Sequence, residues 1–105
     1  MKVDKLTKKV VIQSKEPGNE LDGVPESWND VGNFWAMIQP LTGREYEQAQ
    51  QMQSNTTHKI KTRWFEGANS AMRLVRGNRV FEVESVVNEF ERNRWLIWRC
   101  SEVPQ

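Results

Sequence analysis

Few residues in this chain have chemistry to offer: one histidine, His58, one cysteine, Cys100, and a scatter of carboxylates. A catalytic triad or a zinc site needs three or four convergent groups, and one histidine with one cysteine is too small a set. From Thr57 the side chains alternate with period two, which puts His58 beside Ile60 on the core side of a strand, as a core or interface histidine bonded to a neighbour. Glu82 and Glu84 imitate an acid–base pair, yet carboxylates two apart on one strand share a face instead of flanking a substrate. They read as a solvated acidic stripe able to pair with basic neighbours across strands or subunits. A lone cysteine makes no internal disulfide and no thiolate cage, and fits a reducing compartment. Neither a Gly-x-Gly phosphate loop nor a Gly-Lys-Ser/Thr motif is present. The expectation is a non-enzymatic protein with no cofactor and no metal.

Binding chemistry is the richer possibility. Trp64, Trp95 and Trp98 stand next to Arg63, Arg94 and Arg99, the combination that a stacking platform for single-stranded nucleic acid uses. The competing reading is that these rings fill a small core and its subunit contacts. It is preferred, because Trp95 and Trp98 are three apart on one strand and point to opposite faces. Lys59, Lys61 and Arg63 form a basic stripe, ordinarily a solubilising face and, in a ring, a DNA-facing or inter-subunit one. A formal net charge of +1 implies weak contact with DNA, since counterion release rewards unbalanced cations.

The elements that must position these residues are mainly strands. Six segments read as strands: residues 7–13, 28–38, 57–64, 72–76, 79–87 and 95–100. Val10, Val11 and Ile12 supply β-branched residues to the first, and a loop over residues 14–27, with Leu21 and Val24 as its only apolar members, follows it. In the second strand Val31, Asn33, Trp35 and Met37 oppose Phe34, Ala36 and Ile38. Pro40 stops that ladder, and Thr42-Gly43-Arg44-Glu45 has capping-box spacing, predicting a helix over residues 43–52 with Leu41 and Tyr46 as a hydrophobic staple. Its apolar stripe is only Tyr46, Ala49 and Met52, so it should dock weakly, as part of a mobile excursion that orders against another subunit. Gly77-Asn78 predicts a tight hairpin, in whose second arm Phe81, Val83 and Ser85 oppose Glu82 and Glu84. The predicted fold is all-β with one short helix: a small antiparallel barrel of about six strands with a long helix-bearing loop, closure removing its exposed edges.

With 105 residues, 37% apolar and 28% charged, the chain has the size and composition of one globular domain spanning residues 1–105. Its longest apolar run, residues 34–38, falls far short of the roughly 20 residues a membrane helix needs, and residues 1–4 do not open a secretory signal. No membrane partner is expected.

In order along the chain stand Trp28, then Phe34-Trp35-Ala36-Met37-Ile38 and Pro40-Leu41-Thr42-Gly43-Arg44-Glu45. Ala49-Gln50, His58 to Arg63, Met72-Arg73-Leu74, Arg79 to Asn88 and Glu91-Arg92-Asn93-Arg94 follow. Together with Leu6 and Val10 to Gln13, this succession resembles the phage head-tail joining family, also called head-completion or stopper proteins, over almost the whole chain. Trp64, Phe90, Trp95 and Trp98 depart from the pattern. The resemblance implies a β-barrel whose copies form a ring beneath the portal and adaptor proteins of a tailed phage or prophage. That ring would meet a tail-completion protein and let double-stranded DNA pass, and the chain would be a virion component assembled in the bacterial cytoplasm. It also implies that residues 39–55 project toward the channel, with Thr42, Gly43, Arg44, Glu45, Tyr46 and Gln50 as the channel or assembly loop. The alternative from the residues alone is a free-standing nucleic-acid-binding barrel.

Overall fold

The structure, a computed structural model, describes residues 6–19, 21–23 and 25–104. Val24 and residues 1–4, considered above, lie outside the described residues. The strands are β1 (Lys8–Glu16), β2 (Ser27–Pro40), β3 (His58–Arg63), β4 (Arg73–Arg76), β5 (Arg79–Asn88) and β6 (Trp95–Glu102), with one helix, α1 (Gly43–Gln51), between β2 and β3. Every ladder is antiparallel, and the order β1-β2-β3-β6-β5-β4 closes on itself through a β1–β4 ladder in which Val11 faces Val75 and Gln13 faces Arg73. The predicted six-stranded barrel is therefore present.

Strand alternation fills its interior. Val10 and Ile12 of β1, Ala36 of β2, Ile60 and Thr62 of β3, Leu74 of β4, Phe81 of β5 and Leu96, Trp98 and Cys100 of β6 are buried. Burying a side chain of the size of Ile, Leu or Phe contributes about 1.5–3 kcal/mol, so this inward set supplies most of the stabilisation a small domain can gather. Trp98 brings one polar atom with it, and its indole Nε1–H donates to Thr62 Oγ1 at 2.9 Å. The link between β3 and β4 plugs one end: Phe65 lies 4.8 Å from the Phe34 ring and 6.1 Å from that of Trp98, with Ala68 and Met72 packed beside it.

The strand limits shift by a few residues, and two features of the strand reading are corrected. β1 runs on to Glu16 and pairs with the start of β2, Ser14 facing Asn29 and Glu16 facing Ser27, so the two ends of the expected 14–27 loop belong to a two-stranded arm. Lys15 bridges to Glu26 at 3.0 Å, and the Arg73 guanidinium lies 4.1 Å over the Trp28 ring, which steadies an arm that polar composition alone did not foretell. Beyond its outer ends stand Pro17 and Pro25, which lack the amide a ladder needs.

The second correction concerns β5. A bulge leaves Glu84 unpaired between Val83, which faces Cys100, and Ser85, which faces Arg99. The extra residue reverses the alternation, so Val86, opposite the buried Trp98, points inward while Ser85 joins the outward face, contrary to the simple period-two reading. The 77–78 turn forms as expected, with Gly77 at φ 57° and Arg76 facing Arg79. Thr62→Val should keep the shape of the core but strand the Trp98 N–H. A loss of about 1–3 kcal/mol is expected, read as a lower urea midpoint with an unchanged slope.

Candidate functional site

The loop of residues 41–57 leaves the barrel from β2 and returns to β3 at one open end. Leu41 N–H donates to Thr57 O at 3.0 Å, and Thr57 N–H to Cys100 O at 2.8 Å, so its two feet are pinned to each other and to β6. Between them the capping box forms as predicted: Thr42 Oγ1 accepts from Glu45 N–H at 3.3 Å and Glu45 Oε1 accepts from Thr42 N–H at 3.1 Å. Glu45 also bridges to Lys59 of β3. The Lys59 hydrogen bond, then the Thr42 bonds, hold its carboxyl far below the ordinary range, at about 2. Only Ala49 of the helix is buried; Tyr46 is half exposed and Met52 is 81% exposed, while Gly43, Arg44 and Gln50 also face outward. Weak docking of the helical surface is thus correct, but its two ends are held by defined contacts.

The far end of the helix is fixed by the bulged carboxylate of β5. Glu84 accepts from Ser54 Oγ at 2.7 Å, from Asn55 N–H at 3.0 Å and from the Thr56 hydroxyl. Burial works against its charge, but the bonds from Ser54, Thr56 and Asn55, with the Arg99 charge, outweigh it and keep the carboxyl below its usual value. Nothing in the sequence flagged Glu84 for this task, because it depends on a bulge that no turn residue announces. As for the acidic stripe expected there, Glu84 is engaged by hydroxyls and an amide, with the Arg99 charge only the last contribution, while Glu82 stays exposed.

The basic stripe lies on the outer wall as predicted, and each member has a companion. Lys59 pairs with Glu45; Lys61 lies 3.4 Å from Glu89 and 4.9 Å over the Trp95 ring; the Arg63 guanidinium stacks on the same ring at 4.4 Å. The structure therefore brings Lys59 to the helix, and leaves Lys61 and Arg63 gathered around Trp95. The tryptophans divide as their spacing requires: Trp98 is fully buried, Trp64 packs half-buried against the core, and Trp95 lies outside. A platform using Trp64 and Trp98 is not formed, so no surface for stacked bases exists there. His58 is half-buried, bonded to Thr57 Oγ1 at 2.9 Å through Nδ1, edge-on to Phe81 at 5.4 Å, and 3.8 Å from Glu102, which in turn grips Arg79 at 2.8 Å. Among the described residues no group of three metal-ligating side chains converges, and no helix is long and apolar enough to cross a membrane.

With this closed barrel and its clamped helical loop in view, comparison with known proteins is decisive. The model of a family described as phage head completion protein matches residues 1–103. The chain belongs to that family. Head completion proteins are structural proteins of the phage particle, which places this chain in the virion at the head-tail region. Among solved structures it is similar to protein SF1141 from Shigella flexneri 2a, at TM-score 0.76 and 17% identity over 100% of this chain and 99% of that one. It is also similar to a chain from the virion of a native gene transfer agent particle, at TM-score 0.63 and 18% identity over 96% and 98%. At such identities these two establish the fold. No curated protein matches the chain.

For this head completion protein the shifted histidine and carboxylates predict an acid limb in the stability–pH profile. Burial lowers the pKa of His58 despite Glu102, with Arg79 adding to the effect; the Arg79 hydrogen bond lowers Glu102; and Glu45 and Glu84 are lowered as described. All four therefore bind protons more readily in the unfolded chain, so stability rises with pH. It should fall below the ordinary histidine value of about 6.5, stay level from there to about 9, and fall again above 9, where the unfolded thiol ionises but the buried Cys100, pushed up to about 12, does not. The steeper loss should begin near the ordinary carboxylate value of 4.5 and extend toward about 2, where Glu45 titrates. Urea titrations across that range should show it, and Glu84→Gln should flatten the carboxylate limb while speeding amide exchange at Asn55 and Thr56.

Proposed function

We propose that this head completion protein is a head-closure, or stopper, subunit, whose copies form a ring between the portal–adaptor assembly and the tail, around the path of double-stranded DNA. The observation that supports it best is the presentation of α1. Thr42, Gly43, Arg44, Glu45, Tyr46 and Gln50 stand on an element whose ends are locked while its surface is left uncovered. Locking the backbone before assembly reduces the ordering cost at a joint, and an exposed Tyr and Met offer apolar contact to a neighbouring copy, an adaptor or a tail-completion protein. Composition anticipates a mobile loop, and the Glu84 and Glu45 contacts tie its two ends to the barrel.

Contact with DNA is transient in this reading. The net charge is +1, and the stripe at Lys59, Lys61 and Arg63 is largely occupied by Glu45, Glu89 and Trp95, so few cations are free to condense on phosphates. A wall of that kind lets DNA slide.

Replacing residues 42–53 by a Gly-Ser bridge tests the proposal, since Leu41 and Thr57 already meet across the base of the loop. Circular dichroism should report a folded barrel, and complementation should yield filled heads that leak DNA and accept no tail. Normal head completion by the shortened chain would refute the assembly role of the helix. Tyr46→Ala, which leaves both clamps in place, should give the same defect in milder form.

A further inference from the structure

The turn between β5 and β6 holds an unfavourable backbone. Phe90, Glu91 and Asn93 have φ of 56°, 53° and 56°, the left-handed region that suits Gly and Asn and costs a bulky residue about 1–2 kcal/mol. The conformation is locked by Asn88, whose Nδ2 donates to Asn93 Oδ1 at 2.6 Å and whose Oδ1 accepts from Asn93 N–H at 3.1 Å. What the lock achieves is the display of Phe90, whose ring is 80% exposed with the Arg92 guanidinium 5.6 Å away. A strained, rigid turn that leaves an aromatic ring in water gains nothing for its own chain, and is the form of an interface anchor.

Elsewhere on the wall, Leu6, Thr7, Trp35 and Arg63 line an open groove of about 560 Å³, with Trp35 57% exposed. The groove spans β1 to β3, the turn joins β5 to β6, and the β3–β6 ladder stands between them, so the turn points away from the groove of its own chain. Both lie at one level, because Arg63 faces Trp95 and Trp64 N–H donates to Arg94 O at 3.0 Å. Their charges are complementary: Arg63 on the groove has no carboxylate partner and Glu91 beside Phe90 has no cation partner among the described residues.

We infer that Phe90 of one copy seats in the Leu6–Trp35–Arg63 groove of the next, with Glu91 meeting Arg63, and that this is the repeating contact of the ring. The inference rests on the ring reading above and adds the surfaces that build it. Two different surfaces meeting at one level repeat as a head-to-tail interface, the kind that builds a ring where the rotation closes, instead of pairing copies face to face.

A chain carrying Thr7→Cys and Arg92→Cys, which keeps Phe90 in place, incorporated into completed heads and treated with a short bis-maleimide, provides the test. Cys100 is buried, with its thiol pushed up to about 12, and stays silent. The expected result is a ladder of covalent multimers on denaturing gels, absent from either single variant. Particles that contain the protein but yield only monomer would overturn the contact and leave the head-closure reading standing; particles that lack the wild-type chain would overturn both. Charge exchange supplies a second readout: Glu91→Arg and Arg63→Glu should each lower head completion at least tenfold, and the double exchange should restore most of it. Folded single variants with wild-type activity would refute the pairing.

Discussion

The bulge at Glu84 is the constraint on which the helix-bearing end of this molecule depends. A β-strand has period two, and β5 must bury Phe81 and Val83 at one end and Val86 at the other. Those positions do not share a parity, so one residue has to be passed over in the β6 ladder. The residue passed over is a glutamate, and freed from the ladder it takes up the two hydroxyls and the amide that follow α1. A single irregularity thus completes the core and ties the inter-strand loop to the barrel. Pairing Glu84 directly with Arg99 would turn Ser85 onto Trp98 and leave residues 54–56 without their acceptor.

Closure is the second requirement, and it is met narrowly. β4 is short, and it joins β1 only from Val11–Val75 to Gln13–Arg73, with the Arg73 Nε–H also donating to Gln13 Oε1 at 2.8 Å. Past that point the β1–β2 arm runs on with free outer edges. Edges of that kind invite chance pairing, and here they carry Lys15, Glu16, Asn29 and Asp30, with a further bulge near Val31 that breaks the regular ladder. The edges are protected by charge and irregularity where the barrel cannot protect them by closure.

What could be read in the amino-acid sequence followed from local rules. Alternation over His58 to Thr62, the Gly77-Asn78 turn and the Thr42–Glu45 capping box each depend on residues within one turn or one strand, and each stands as expected. The opposed directions of Trp95 and Trp98 came from the same parity argument. Illegible features were those that need a partner far along the chain. The bulge depends on β6, the arm at Ser14 to Glu16 depends on β2, and the neutralising of Lys59 and Lys61 depends on Glu45 and Glu89. The display of Phe90 depends on Asn88 reaching Asn93, a contact that composition does not reveal.

These internal pairings shape how such a surface can recognise anything. Glu45, Glu89 and Glu102 engage Lys59, Lys61 and Arg79, and beside the charges that stay exposed, Arg63 and Glu91 among them, stand the exposed apolar side chains of Trp35, Tyr46, Met52, Val87 and Phe90. Apolar and aromatic contacts carry no screened Coulomb energy, so a joint built on them keeps its strength when the ionic surroundings change. DNA brings a dense counterion atmosphere wherever it is packed, and a joint beside it gains from recognition that does not compete with that atmosphere. Pairing part of the charge within each subunit while leaving aromatic side chains exposed fits the head-closure role proposed above, in which neighbours are held firmly and the nucleic acid hardly at all.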